Sequence, residues 1–500
     1  MKRQPCSHVR RDDAVVAGSV AAVEASALPL RSGKLARDFW FMFGSMVVLG
    51  LIRLPATAQD GSLTDSSTQS DAQRPMAQAI DTMCPQLESG SDLSQVCTPM
   101  VTGSSDLSQD ELNAATQSLN GEETQAMQQQ VGSVGATQVA NVTARMDMLR
   151  AGLTSPGLSV AGLTLGNGEQ ILPAGYEESA LAGEEDASLG EGGTLGAPIW
   201  DKVGVFVTGG GSFGDKSKSG QITGYDFYTV GLTAGADYSV RDDLAVGGAV
   251  GYSYYNADFD TDQNNASGQD LDTNSVIFSL FGTYFPTEGF LAPLEGFFLD
   301  GMASFGWSFF DMSRHVVVPS NNPAEQPVNE RANSDTTAFQ YGFAGNVGYE
   351  FNVRQFTITP VGRVRYVKAD IDGYEESGAD PVNLKVGSQD ATSLTTHLGA
   401  SLGYALSTQY GVIEPTIRGE YVHEFENNDG GAGIRYASDP TGASAFDVIT
   451  ERPNRNYGIV GAALTGTFAG GWSAFTDFET VVDLGRFDVY TFRVGARRQF

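Results

Sequence analysis

The chain has 500 residues, 60 acidic against 30 basic side chains and a formal net charge of -30. A charge of that sign leaves no basic face to neutralise phosphates, which excludes a nucleic-acid partner. Aromatic residues are distributed unevenly: residues 59 to 199 contain one, Tyr176, whereas residues 200 to 500 contain 45.

The longest apolar run, Phe39 to Ile52, follows Arg31, Lys34 and Arg37 and precedes Pro55-Ala56-Thr57-Ala58-Gln59. As a helix it rises only about 21 Å, short for a membrane span, and the Ala-x-Ala ending marks a secretory cleavage site. Residues 1 to 58 therefore read as a signal peptide with an extended n-region, cleaved between Ala58 and Gln59. Export removes Cys6 and leaves Cys84 and Cys97 in an oxidising compartment. We expect them to form one disulfide closing a short loop, worth about 3 kcal/mol. A cysteine-based metal site would need further ligands, and residues 59 to 199 contain no histidine. No cofactor or metal is expected.

Residues 59 to 199 carry 19 acidic and 3 basic side chains, and such a stretch buries too little apolar surface for a large enzyme domain. Its one substantial helical candidate runs from Leu107 to Gly152, where Met127, Val131, Val134, Val142 and Leu149 fall near helical spacing. Arg150 and Gly152 are stop signals, and Gly132 and Gly135 weaken the middle. Residues 59 to 152 form a short acidic unit with the disulfide and the helix. Residues 153 to 199, with Glu184-Glu185-Asp186, form a Gly- and Glu-rich linker.

From residue 200 to 500 the chain alternates apolar and polar residues in runs of strand length. In the last run, Tyr490, Phe492, Val494, Ala496 and Phe500 share one face, and Thr491, Arg493, Arg497 and Gln499 the other. Near residue 418, Ile413, Ile417, Tyr421 and Phe425 oppose Glu414, Arg418, Glu420 and Glu424. A secreted chain with one greasy and one charged face per strand fits an all-β fold: a twelve-stranded antiparallel transmembrane β-barrel with lipid outside and a polar lumen. Strands are expected to start near residues 201, 223, 244, 271, 296, 335, 355, 387, 411, 454, 472 and 486. Short links (241–243, 354–355, 470–471) alternate with long ones (259–270, 313–334, 372–386, 427–453), so one rim is trimmed and the other elaborated. Pro360 and Pro415 each stand six residues before a tyrosine, and a local bulge is expected to accommodate each.

The strand Pro415-x5-Tyr421-Val422-His423-Glu424-Phe425, and the terminal strand with Arg493-x-Gly495 and a final Phe500, resemble those of the autotransporter, or type V secretion, family. The resemblance covers about 300 of the 500 residues. It implies a barrel that exports or displays an N-terminal passenger, here residues 59 to 152, with a helix kept in the pore, for which Gln138 to Arg150 is the candidate. It also implies that Arg493, Gly495 and Phe500 are read by the β-barrel assembly machinery, although Arg498 departs from the usual apolar pattern. Implied partners are outer-membrane lipid, the Sec-type export machinery and the assembly machinery, and the protein is expected to be a monomer in the outer membrane of a Gram-negative bacterium, its passenger surface-exposed.

Enzymatic motifs are weak. Gly209-Gly210-Gly211-Ser212-Phe213-Gly214 satisfies a dinucleotide-loop pattern, but no helix opens after it. Asp258-x-Asp260-x-Asp262 lacks the glycine and glutamate of a calcium loop. Beyond the leader the histidines are His315, His397 and His423; Ser313-x-His315, placed in a long loop, is the only pair to pose as nucleophile and base. His423 reads as a rim residue. The protein is expected not to be an enzyme. Two alternatives are an outer-membrane hydrolase with a loop active site around His315, and a passive pore or structural barrel whose N-terminal segment is a periplasmic tether.

Overall fold

The computed structural model describes residues 63–65, 73–101, 107–121, 123–153, 202–218, 223–260, 269–286, 296–320, 327–429, 431–448, 453–469 and 472–499. Residues 1 to 58, the cleavage pair Ala58 and Gln59, the expected linker beyond Leu153 and Phe500 lie outside them.

Twelve long antiparallel strands close into a barrel: β1 (Val203–Lys216), β2 (Tyr225–Arg241), β3 (Leu244–Phe259), β4 (Asp270–Tyr284), β5 (Phe297–Val318), β6 (Val328–Tyr349), β7 (Phe356–Ile371), β8 (Gln389–Tyr404), β9 (Gly411–Asp429), β10 (Asn456–Phe468), β11 (Trp472–Val482) and β12 (Phe487–Gln499). β12 pairs with β1, for example Arg498 with Val205. Closure leaves no sheet edge, so the strands' backbone donors and acceptors are paired around the ring. On β12 the even-numbered side chains Tyr490, Phe492 and Val494 are exposed while Arg493 and Arg497 are buried, so the lumen takes the polar face, as the alternation requires.

One expected loop is instead largely strand. β6 begins at Val328 rather than near 335, and Ser313 to Val318 pair with Val328 to Asn333. This hairpin buries Val316, Val318, Val328 and Ala332 on one face, but its other face meets no lipid and carries polar residues such as Asn329 and Arg331, so the apolar signal of a lipid-facing strand is missing there. Ser313 and His315 consequently sit on paired strand, not in a long loop.

The prolines also behave differently from expectation. Register is unchanged across Pro360, with Gly348 opposite Val361 and Phe351 opposite Ile358, and across Pro415, with Gly403 opposite Thr416 and Leu406 opposite Ile413. The ladder stops for two residues on one side and resumes in step. Proline lacks only a donor, so omitting those pairs suffices and no residue need be inserted. The bulge in β9 lies instead at Phe425, between Glu424 opposite Thr395 and Glu426 opposite Leu394.

At the long-loop rim, aspartates face one another across neighbouring strands: Asp488 with Asp215, Asp215 with Asp226, Asp226 with Asp258, and Asp258 with Asp270. The pattern continues as Asp272, Asp311 and Asp335, then Asp370 and Asp390. Below them on β2 come the exposed side chains Tyr228, Val230, Leu232 and Tyr238. The long loops also build a small antiparallel sheet from residues 374–375, 384–386, 433–436 and 446–447.

Among the described residues four α-helices precede the barrel: α1 (Gln73–Met83), α2 (Asp92–Val101), α3 (Gln109–Ser118) and α4 (Glu123–Leu153). The single helical run expected from Leu107 to Gly152 is thus two helices, divided at Leu119 to Gly121, and α1 and α2 are additional. Gly121 has φ +67°, a left-handed turn that suits glycine. Among the described residues no helix is long and apolar enough to cross a membrane.

Candidate functional site

The site is the barrel lumen, with α4 inside it and α1 to α3 over its long-loop rim. α1 presents Met76, Ala77, Ile80 and Met83, and α2 presents Leu93, Val96, Cys97 and Met100, each set on one helix face and buried. These side chains share one apolar core with Tyr374, Leu384, Val386, Ile434, Tyr436 and Phe446 of the long loops and with Phe310, Met312 and Val316 of β5. An aromatic-poor segment therefore acquires a core because the barrel's strands and long loops together supply more than half of it. Cys84 is bonded to Cys97, joining the end of α1 to α2. Burial pushes the phenols of Tyr374 and Tyr436 up from their ordinary range.

Local capping fixes the next helix. Ser108 Oγ accepts from the Glu111 backbone N–H at 3.3 Å, and the Ser108 N–H donates to Glu111 Oε2 at 2.7 Å. This capping box starts α3 and holds the Glu111 carboxyl below the usual glutamate range. Where α3 passes to α4, the buried Arg314 of β5 makes paired hydrogen bonds to Glu376, at 2.9 Å from Nε and 2.5 Å from Nη2. It also donates to the Ser118 carbonyl at 2.5 Å and lies 3.8 Å from Glu123. One guanidinium thus ties a helix end, a strand and a loop together.

From Glu123, α4 descends the lumen for 31 residues, a rise of about 46 Å. Its contacts are polar. Gln128 Nε2 donates to Gln389 Oε1 at 2.8 Å, Gln138 Nε2 to Ser279 Oγ at 2.9 Å, and Asn141 Nδ2 to Thr233 Oγ1 at 3.1 Å. Lower down, Arg145 Nε donates to Asp237 at 2.8 Å, and Arg150 Nη1 lies 2.7 Å from both oxygens of Asp300. Asp300 also accepts from Thr283 at 2.7 Å and Asn346 at 3.2 Å, and the Arg150 guanidinium lies 3.8 Å from the centre of the Phe298 ring. A Cβ on Gly251 would fall 2.1 Å from Gln138 Oε1, so a side chain there would displace the Gln138 amide. The candidate pore helix Gln138 to Arg150 is therefore inside the barrel as part of a longer helix, whose N-terminal end meets the cap and whose C-terminal end reaches the short-turn rim.

α4 leans on β2 to β5. Across from it, a cavity of about 230 Å³ is walled by ion pairs: Arg363 to Glu420 at 2.5 Å, Arg418 to Glu479 at 2.6 Å, and Arg493 to Asp477 at 2.5 Å and to Glu479 at 2.7 Å. His397 Nδ1 lies 3.2 Å from Glu420. Reading the strands alone picked out Arg418, Glu420 and Arg493 but missed Asp237, Asp300, Arg314 and Glu376. For Asp237, Asp300 and Arg314 the missed signal was a lone charge on the polar face of a strand, whereas Glu376 lies in a long loop.

The motif residues separate by face. Arg493 and Gly495 point inward, and a Cβ on Gly495 would fall 2.2 Å from the Phe475 ring. Arg498, the departure from pattern, lies beside the Trp472 ring at 5.4 Å. Pro415, Tyr421 and Phe425 face outward. His423 Nδ1 lies 2.7 Å from Asn456 Oδ1, which also accepts from the Tyr421 hydroxyl at 2.6 Å, and Glu424 accepts from Ser393 at 2.6 Å. The Ser313 and His315 side chains turn to other partners: Arg331 Nη1 donates to Ser313 Oγ at 2.8 Å, and His315 Nε2 lies 2.7 Å from Asn329 Oδ1. Nothing aligns the two as a dyad.

Comparison with known proteins agrees with this geometry. Residues 205–479 match the family model described as the autotransporter beta-domain. Outer membrane protein B of Rickettsia prowazekii is 25% identical over 265 residues, covering 52% of this chain and 14% of that protein. Lipase 1 of Photorhabdus luminescens is 22% identical over 291 residues, covering 57% of this chain and 41% of that protein. The chain thus spans well under half the length of these relatives. The translocator domain of the autotransporter NalP from Neisseria meningitidis aligns over 60% of this chain and 88% of that one, at 15% identity and a TM-score of 0.45.

Proposed function

Because the chain belongs to the autotransporter beta-domain family and its barrel lies in the outer membrane, we propose that residues 200 to 500 carry their own N-terminal segment outward and keep it as a surface cap. The observation that carries this reading is the course of α4, which links the cap at the long-loop rim to the short-turn rim where β1 begins. In outer-membrane barrels short turns face the periplasm and long loops the exterior. The passenger is then the disulfide-closed α1 to α3 unit, α4 is the stalk left in the pore, and residues 1 to 58 are the signal for Sec-type export, removed between Ala58 and Gln59. Arg493, Gly495 and Phe500 are the signal that the β-barrel assembly machinery reads, and the barrel works as a monomer.

The role is non-enzymatic in this reading. Its support is that His315 and Ser313 are each engaged by other side chains, and that residues 59 to 199 lack histidine. The periplasmic-tether alternative is disfavoured by the apolar core that the cap shares with the long loops.

The test is surface labelling of a cysteine placed at Ser89, in the exposed turn between α1 and α2. On intact cells a membrane-impermeant maleimide is expected to label Ser89→Cys. Labelling only after the outer membrane is opened would reject surface display and favour the tether.

A further inference from the structure

α4 does not fill the lumen. Beside it, toward the long-loop rim, lies a second cavity of about 370 Å³, within the size range of sites for small organic ligands. Much of its wall is apolar: Tyr225, Phe227, Tyr457, Ile459, Val481 and Phe487 line it. Pro453, Asn454 and Leu484 place its mouth at the long-loop rim. At its inner end it shares Arg365, Glu479 and Arg493 with the ion-paired cavity below.

Arg365 differs from its neighbours. Val364 and its alternate partners on β7 face lipid, which turns Arg365 inward. Arg363, two residues away, is paired with Glu420, and Arg418 and Arg493 are paired with Asp477 and Glu479. Among the described residues no carboxylate lies within ion-pair distance of Arg365, and its buried Nε has no hydrogen-bond partner. Gln130 of α4, 1% exposed and on the same cavity wall, has no partner for either amide atom. An unsatisfied guanidinium at the base of a chamber with a largely apolar wall favours a group that accepts hydrogen bonds and carries the opposite charge.

We infer that this chamber binds a small amphiphile with one carboxylate, the carboxylate on Arg365 at the inner end and the apolar body against the aromatic wall toward the rim. Three carboxylates line the wall: Glu479 at the inner end holds Arg418 and Arg493, while Glu424, which accepts from Ser393 Oγ at 2.6 Å and the Leu394 N–H at 2.8 Å, and Glu426 stand farther along β9 toward the rim. At the inner end an anionic head therefore meets one guanidinium without an ion pair, whereas a cationic head there meets like charge and a neutral head leaves Arg365 unpaired. This site is independent of the export reading and stands or falls separately from surface labelling.

The test uses the full chain in lipid nanodiscs and three water-soluble probes, 4-phenylbutyrate, 4-phenylbutanol and 4-phenylbutylamine, with binding measured by saturation-transfer NMR. Phenylbutyrate is expected to bind most tightly, and Arg365→Gln to weaken it about tenfold while leaving phenylbutanol unchanged. Equal binding of the acid and the alcohol to the unmodified protein would overturn the proposal without recourse to any variant. So would an Arg365→Gln protein that migrates as a folded barrel and binds phenylbutyrate as before.

Discussion

Helices α1 and α2 on one side and helix α4 on the other belong to one stretch of chain but are held by opposite surfaces. In the cap, Met76, Ile80, Met83, Leu93 and Met100 leave water together with loop side chains, so the hydrophobic effect does most of the holding. In the lumen, Gln138, Asn141, Arg145 and Arg150 meet a polar wall partner by partner. An apolar core tolerates slippage and substitution of similar volume. A set of buried pairs does not, because removing one member strands the other. The cap is therefore the adaptable part and the stalk the specified part.

Four changes break or sharpen that contrast. The largest effect is expected from Arg150→Ala, which leaves Asp300 buried with only Thr283 and Asn346 and costs about 4 kcal/mol. Hydrogen exchange should show α4 losing protection while α1 keeps it, with a rise in single-channel current; equal losses in both helices would mean that cap and stalk are one cooperative unit. Ile80→Ala is next, at about 3 kcal/mol for a fully buried aliphatic side chain. Here α1 and α2 should become protease-sensitive while the current through the barrel stays the same.

Reduction of the Cys84–Cys97 bond, which closes a 13-residue separation, should cost the cap about 3 kcal/mol or somewhat less. Thermal scans with and without reductant should separate a shifted cap transition from an unshifted barrel transition. The smallest effect is Ser108→Ala, about 1 kcal/mol through the lost capping box. Because the Glu111 carboxyl is held below its ordinary value in the fold, its contribution is complete above the unfolded pKa and is lost as pH falls through the lowered one. Protection of α3 in the parent protein should therefore weaken on acidification, and the Ser108→Ala variant should lack that response.

Strands that face lipid on one side and water on the other were legible because both environments select side chains at period two, and most start within two or three residues of expectation. The error at β6 is instructive. Asn329 to Ser334 sit above the band with no lipid to select an outer apolar face, so only Val328 and Ala332, buried inward, mark the pairing with β5. α1 and α2 did carry a mark, since Met76, Ala77, Ile80 and Met83, and Leu93, Val96, Cys97 and Met100, follow helical spacing. Counting aromatics obscured it, because a segment that borrows its core from loops 300 residues away needs few aromatics of its own. The lumenal pairs were the least legible: Arg145 meets Asp237 and Arg150 meets Asp300 only after the barrel has closed around the helix.

The facing aspartates at the long-loop rim act like a load line on a hull. Neighbouring strands are about 4.8 Å apart, so the carboxylates from Asp488 through Asp270 crowd one another even in water, where like charges directly opposite already cost stability. In hydrocarbon that cost would rise steeply, since each charge would also lose its solvation. Below the line, Tyr228, Val230, Leu232 and Tyr238 would suffer if lifted out. The barrel is thereby ballasted at one draught in the bilayer, and the cap, fixed to the rim above that line, rides clear of the lipid headgroups.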